Sequence, residues 1–176
     1  MRSFDASAPI VVVGLMGSGK TSVSRLLADA LGRRMRDSDP DMRERYGASA
    51  AEMAEKEGPE VLHDREAEHL REALRDEPPS VIAAAASTVE RADIRALLEP
   101  AVVIWLDAAD EVLAERMSSG SHRPHFESDL RAMLAKQRAR RGPFFEEIAD
   151  MTFDVATMRP EQIARQVLNA LGYEPA

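Results

Sequence analysis

The 176-residue chain is 44% hydrophobic and 31% charged, a balance typical of one soluble globular domain that can bury a sizeable core. Its 23 Lys and Arg residues against 31 Asp and Glu residues give a net charge of −8, which argues against a broad nucleic-acid-binding surface. Cysteine is absent and no apolar run approaches the length of a bilayer-spanning helix, which excludes disulfides, thiolate metal sites and a thiol nucleophile and argues against a membrane span.

The first predicted elements are a strand, a loop and a helix. Residues 10–13 form an apolar, β-branched run, as expected of a buried parallel strand. Residues 14–21 then match the phosphate-loop pattern G-x-x-x-x-G-K-[ST] in full, and residues 20–31 continue as an amphipathic helix that ends at Gly32. Because this motif requires a strand before it and a helix after it, the sequence predicts that the loop binds a nucleoside triphosphate.

Each residue type in this loop has a chemical role. Glycines let backbone N–H groups turn toward phosphate oxygens, and the helix N-terminus adds unpaired N–H groups and a partial positive charge. Lys20 is expected to reach the β- and γ-phosphates, and the Thr21 hydroxyl is placed to bind Mg²⁺. The predicted nucleotide-binding residues of the loop are therefore Gly14, Met16, Gly17, Ser18, Gly19, Lys20, Thr21 and Ser22.

Beyond the first helix, strands and helices continue to alternate. In chain order we predict a strand at 33–37, helices at 41–46, 49–56 and 60–75, a strand at 81–84, a helix at 87–98, a strand at 101–106, helices at 107–117 and 127–141, a strand at 151–155 and a helix at 160–171. This alternation predicts an α/β fold, a three-layer α/β/α sandwich around a parallel sheet, in a single domain over residues 1–176.

Several boundaries in this prediction rest on particular residues. The second strand is expected at a sheet edge, because polar and apolar residues alternate in it. Ser87 and Glu90 fit a capping box that opens the helix at 87–98, and Asp107 is expected to cap the helix that follows it. The helix that starts at residue 127 is expected to break at Gly142-Pro143.

Three carboxylates, Asp37, Asp39 and Asp41, follow the second predicted strand at alternate positions. They would repel one another unless a cation lies near them, which favours a nearby cation. The same residues also suit a helix N-cap and a first helical turn. Both interpretations can hold together.

Taken together, these motifs resemble those of the shikimate kinase family, small phosphate-loop kinases with a nucleoside-monophosphate-kinase-like fold. The resemblance covers residues 9–171, and it depends on the order and spacing of the segments 14–21, 37–39, 62–66, 81–89, 116, 123–124, 141 and 145–150. It implies a five-stranded parallel sheet, an acceptor-binding helical region at about 38–75 and a lid at about 118–132.

The resemblance also implies roles for individual residues on the nucleotide side. Lys20, Asp37 and Arg123 would be catalytic, with Arg123 reaching the transferring phosphate from the lid. Thr21 and Asp37 would lie at the metal, and Asp37 would also lie near the reacting hydroxyl. Two further arginines, Arg116 and Arg159, would border the adenine of ATP.

On the acceptor side, the sequence departs from the family pattern at two places. Leu62-His63 stands where the family has Phe-Arg, and that arginine holds the shikimate carboxylate. Ala85-Ala86-Ser87 stands where the family has three glycines, on which the acceptor ring packs. A neutral imidazole replaces an arginine poorly. The predicted acceptor-binding residues are Asp39, His63, Ala85, Ala86, Ser87 and Arg141.

The sequence therefore predicts an ATP- and Mg²⁺-dependent kinase that phosphorylates a hydroxyl of a small polyhydroxylated acceptor altered from shikimate. Two alternatives stay open: shikimate kinase proper, and a nucleotide-binding regulatory module without turnover. Retention of Lys20, Thr21, Asp37 and Arg123 argues against the second of these. We expect a cytoplasmic monomer with no nucleic-acid or membrane partner.

Overall fold

Five parallel strands form the central sheet of the computed structural model, which describes residues 4–5, 7–119 and 127–174. Their order in the sheet is β2-β3-β1-β4-β5, so β2 lies at an edge as predicted. The fold class predicted from the sequence, a parallel five-stranded α/β fold, is confirmed. The strands are β1 Ile10–Val13, β2 Met35–Asp37, β3 Val81–Ala83, β4 Val102–Asp107 and β5 Met151–Asp154.

Helices connect successive strands and cover the sheet. α1 packs against α8, whereas α4, α5 and α7 all contact a short 3₁₀ helix that follows β3. Across the described ranges, none of these helices has both the length and the apolar character needed to cross a membrane. The helices are α1 Lys20–Leu31, α2 Ser38–Tyr46, α3 Ala50–Glu57, α4 Pro59–Ala73, the 3₁₀ helix Ala86–Glu90, α5 Ala92–Leu97, α6 Asp110–Ser119, α7 Glu127–Ile148 and α8 Pro160–Ala170.

The main hydrophobic core lies on the sheet, since a parallel sheet covered by helices buries its strands on both faces. The whole of β1 is buried, and so is the whole of β3. A second, smaller apolar cluster joins α2, α3 and α4 through Met42, Met53 and Leu62. These three helices therefore have a small core of their own beside the edge strand β2.

The predicted break at Gly142-Pro143 is wrong, because α7 runs through Pro143 to Ile148. Proline lacks the N–H that would bond the preceding turn, so continuing the helix has a local cost. Packing after the proline offsets that cost. The Phe145 ring is buried and stacks on Trp105 with centroids 5.6 Å apart, and the Arg95 guanidinium lies 4.0 Å from the centroid of the Phe144 ring.

The predicted helix at 87–98 is divided in two, and neither predicted cap forms. The 3₁₀ helix ends at Glu90, and α5 starts at Ala92. The Ser87 hydroxyl bonds a residue of α4 instead of capping the segment. Asp107 is the last residue of β4, three positions before α6, and its carboxylate accepts hydrogen bonds from Ala108 and Arg138.

We expect the substitution Gly14→Ala to destabilise the protein strongly. A Cβ at Gly14 would lie 2.5 Å from the Leu106 carbonyl oxygen, and this backbone oxygen belongs to the sheet and cannot move away. Gly32 is a matched control, since its φ of +62° is also positive but a Cβ there meets no atom within 4 Å. Urea denaturation should give a loss of at least about 2 kcal/mol for Gly14→Ala and about 1 kcal/mol for Gly32→Ala. Equal losses in the two variants would contradict a close approach at Gly14.

Candidate active site

Several of the predicted site residues lie at the carboxyl ends of the strands, where ligands bind in open parallel sheets. The phosphate loop follows β1, Asp37 ends β2, and Ala85 to Ser87 follow β3. Since β2, β3 and β1 are consecutive neighbours in the sheet, these three segments lie side by side. The topology therefore brings the predicted phosphate, metal and acceptor groups to one edge.

The phosphate loop has the tight backbone that its sequence predicts. A Cβ on Gly17 would lie 3.1 Å from Met117 Cγ and 3.2 Å from the Leu113 carbonyl oxygen, so a side chain there would press on α6. The Ser18 hydroxyl is buried without a hydrogen-bond partner among the residues described. A cradle that excludes side chains and holds an unpaired polar atom fits the phosphates of a nucleotide.

The Lys20 ammonium turns back over this loop. Its Nζ donates to the Gly14 carbonyl at 2.8 Å and to the Leu15 carbonyl at 3.2 Å. Burial lowers the pKa of Lys20 to about 8, and the nearby charges of Asp39 and Asp37 oppose that shift. Phosphate oxygens would favour the protonated amine further, since an added anion stabilises a nearby cation.

Thr21 and Asp37 form the pair of oxygen groups expected at a metal. The Thr21 hydroxyl donates to Asp37 Oδ2 at 2.6 Å, and the other oxygen of Asp37 accepts from the Asp39 N–H at 3.3 Å as the N-cap of α2. Mg²⁺ binds one or two protein oxygens together with substrate phosphates. The described part of the chain has no cluster of three or more His, Asp or Glu side chains that could hold a metal alone.

The three carboxylates after β2 have separate surroundings. Asp37 caps α2, so the N-cap interpretation is confirmed for that residue. Asp39 lies close enough to Lys20 to raise the pKa of its amine. Asp41 turns away from the site, since its Oδ2 lies 2.7 Å from His69 Nε2 and 3.4 Å from Arg36 Nε.

On the acceptor side, the Ser87 hydroxyl donates to Glu66 Oε1 at 3.0 Å. The two side chains are 7% and 8% exposed. Burial raises the pKa of Glu66 to about 7, while the Ser87 hydrogen bond and the charges of Arg141 and Lys20 lower it. Sequence reasoning did not single out Glu66. The available signal was a glutamate on the buried face of a helix, where carboxylates are rare unless paired.

Arg141 and His63 lie near each other on this side of the site. Arg141 is 8% exposed, and its Nε donates to Glu90 Oε2 at 3.1 Å. Burial lowers the pKa of half-buried His63, and the charge of Arg141 lowers it further, so the imidazole is neutral at pH 7. The two residues predicted to border an acceptor anion therefore lie close together, and of the two Arg141 is charged and His63 is neutral.

The remaining predicted residues lie in several different segments of the chain. Arg116 of α6 donates to the Val155 carbonyl at 2.6 Å, and Arg159 precedes α8, so both border the segment that follows β5. Ala85 is half-buried, and Ala86 is buried next to it. Met16 and Ser22 are exposed in and after the phosphate loop. Arg123 lies outside the described residues, as does much of the predicted lid.

The chain is similar in sequence and in fold to several shikimate kinases. Residues 16–172 match the family model described as "Shikimate kinase". A shikimate kinase from Marinomonas sp. (strain MWYL1) is 31% identical over 165 residues, covering 92% of this chain and 91% of that protein. Shikimate kinase 1 of Escherichia coli O139:H28 is 32% identical over 165 residues, with 92% and 95% covered. The solved shikimate kinase of Acinetobacter baumannii, in complex with shikimate, superposes with a TM-score of 0.83 at 29% identity and 93% coverage of each chain.

We expect Lys20→Ala to lower phosphoryl transfer from ATP by about a thousandfold, because it removes the cation that the loop motif predicts will reach the phosphates. ADP release should be measured with ATP, Mg²⁺ and a panel of hydroxylated acids, cyclitols and sugars. The control is Lys56→Ala, which removes an exposed lysine of α3. A folded Lys20→Ala variant with near-wild-type turnover would exclude a role for Lys20 in phosphoryl transfer.

Proposed function

This chain belongs to the shikimate kinase family, and we propose that it transfers the γ-phosphate of ATP to a hydroxyl of a small polyhydroxylated acceptor altered from shikimate. Membership of the family makes it an ATP-dependent phosphotransferase that acts on an alcohol group. The acceptor, the use of Mg²⁺ and the roles of individual residues are the proposed part.

The proposed chemistry is positioning and charge neutralisation, because phosphoryl transfer requires little covalent work from the protein. Lys20 would donate to the oxygens of the transferring phosphate. The Thr21 hydroxyl and Asp37 carboxylate would hold Mg²⁺, which when bound neutralises phosphate charge. Asp37 would also orient the acceptor hydroxyl or accept its proton. The 2.6 Å contact between Thr21 and Asp37 supports this assignment.

The observation that best supports the proposal of an altered acceptor is the hydrogen bond from Ser87 to Glu66. At the position where the family resemblance implies glycine, a buried serine side chain is bonded to helix α4, on the side of the site where the acceptor is proposed to bind. His63 adds no charge there, and Arg141 is already partly engaged by Glu90. A charge-assisted hydrogen bond is worth about 1.5–3 kcal/mol, so loss of an arginine would weaken carboxylate binding about tenfold to a hundredfold.

Shikimate kinase proper is the second candidate. Relatives of about the same length carry that name, and a similar solved structure is a complex with shikimate. Asp39 and Arg141, the anchors implied by the resemblance, are both present. The acceptor panel separates the two candidates, since efficient use of shikimate by the unmodified protein favours this one. No turnover with any acceptor would instead favour the regulatory module.

The organisation of the chain supports an acceptor region over residues 38–75. α2, α3 and α4 occupy this range and share the cluster of Met42, Met53 and Leu62. The lid at 118–132 and the action of Arg123 stay predictions from the sequence. The same holds for the monomeric state and for the absence of nucleic-acid and membrane partners.

We expect His63→Arg to raise kcat/KM for shikimate about tenfold, mainly through a lower KM, because ground-state contacts to the carboxylate are what the site lacks. Adding Ala85→Gly, Ala86→Gly and Ser87→Gly should raise it further by clearing the acceptor face. Steady-state kinetics with shikimate measure the effect.

His63→Gln is the matched control, since it changes the side chain without adding charge. An equal gain from His63→Gln would show that charge is not the cause. If the unmodified protein already uses shikimate efficiently, its natural differences from the family pattern at residues 63 and 85–87 do not change the acceptor.

A further inference from the structure

Glu66 is a buried carboxyl group with one fixed oxygen and one available oxygen. Ser87 donates to Oε1 at 3.0 Å. In the ranges 4–5, 7–119 and 127–174, no group donates a hydrogen bond to Oε2, yet Oε2 is not among the fully buried polar atoms that lack a partner. The second oxygen is therefore not completely buried, and it can take a proton or a hydrogen bond from a ligand hydroxyl without breaking a bond to the described residues.

The charges around Glu66 come from several elements. α1 contributes Lys20 and α7 contributes Arg141, both of which favour the ionised carboxylate. α2 contributes Asp39, which opposes ionisation. The 3₁₀ helix contributes Ser87 and, beside Arg141, Glu90. Helices α3 and α5 also pack on α4, but their Glu57 and Asp93 pair with Arg65 and Arg71, while His63 lies one turn before Glu66 on α4 itself.

We propose that Glu66, held by the Ser87 hydroxyl, is a specificity-determining residue. An anionic acceptor binds at Arg141 only when Glu66 also takes up a proton. A neutral polyol would bind without this proton and could donate a hydroxyl to Oε2. The inference rests on the proposed acceptor site. It predicts that, at and above neutral pH, the site prefers an uncharged acceptor.

The physical reason is electrostatic competition for two cations. An acceptor carboxylate beside Arg141 would take over part of the attraction that keeps Glu66 ionised, and would itself repel that carboxylate. Burial already brings the pKa of Glu66 to about 7, so this further repulsion is relieved by protonation near neutral pH. Protonation and anion binding then favour each other by the same factor, as linkage requires.

The test compares shikimate with its methyl ester, which has the same hydroxyl groups and no carboxylate. Titration calorimetry is performed with Mg²⁺ and a non-hydrolysable ATP analogue, between pH 6 and pH 8, in two buffers of different ionisation enthalpy. The acceptor carboxyl stays ionised over this range, since its ordinary pKa is about 4. We expect shikimate to bind with proton uptake and to weaken by up to about tenfold per pH unit above the Glu66 pKa. The ester should show neither effect.

Three variants test whether Glu66 is the group that takes up the proton when shikimate binds. Glu66→Gln should abolish the difference between the two probes, whereas Glu60→Gln, on the exposed start of the same helix, should keep it. Ser87→Ala should move the pH dependence upward, because the Ser87 hydrogen bond lowers the pKa of Glu66. If Glu66→Gln does not fold, the Ser87→Ala shift still tests the proposal.

The outcomes separate this proposal from the one before it. Binding of both probes without a difference in proton uptake overturns the role of Glu66 and leaves the kinase proposal intact. Proton uptake that survives Glu66→Gln and disappears in His63→Gln assigns the proton to the histidine and also overturns it. Binding of neither probe contradicts the proposed acceptor site itself, and with it this inference.

Discussion

Two cations, Lys20 and Arg141, and four carboxyl groups, including the Glu90 that accepts from Arg141, share the carboxyl end of the sheet, and the site depends on their mutual compensation. Burial lowers the pKa of Lys20 to about 8 and raises that of Glu66 to about 7. Asp37, Asp39 and Glu66 favour the charged form of Lys20, while Arg141 and Lys20 favour the ionised form of Glu66. Removing one member leaves another with an uncompensated buried charge, which is the costly state in a dehydrated site. The phosphates of a bound nucleotide would add further negative charge that stabilises the protonated Lys20.

Helix α7 brings one of these cations from far along the chain. Arg138 donates to Asp110 at 2.7 Å and to Asp107 at 2.8 Å, which fixes the helix to the end of β4 and to the start of α6. Phe145, one turn after Arg141, is buried and stacked on Trp105 of β4. Arg141 lies between these two attachments, so its position is set by contacts before and after it. A helix that ended at Gly142 would lack the second attachment.

Local signals predict most of the sheet and the nucleotide side, because the information lies within a few residues. Apolar strands, the phosphate loop and the Asp37 cap each combine neighbouring positions, and all three appear in the structure. The errors come from contacts between distant segments. Packing by Phe145 carries α7 through Pro143, and Glu66 of α4 takes the Ser87 hydroxyl that the sequence assigns to a helix cap. No local pattern predicts that the Ser87 hydroxyl will bond to a carboxylate 21 positions earlier in the chain.

The same distant contact bears on what the proposed acceptor site selects. An acceptor carboxylate would add a further negative group to Lys20 and Arg141, where four carboxyl groups, Glu90 included, already compete. An arginine at position 63 would offset that charge, but the imidazole there is neutral, since burial and Arg141 both lower its pKa. Acceptor hydroxyls carry no charge and can donate to carboxylate oxygens, which are strong acceptors. In the proposed acceptor site, His63 in place of an arginine and Ser87 bonded to Glu66 would therefore act in the same direction, toward an acceptor recognised by its hydroxyl groups.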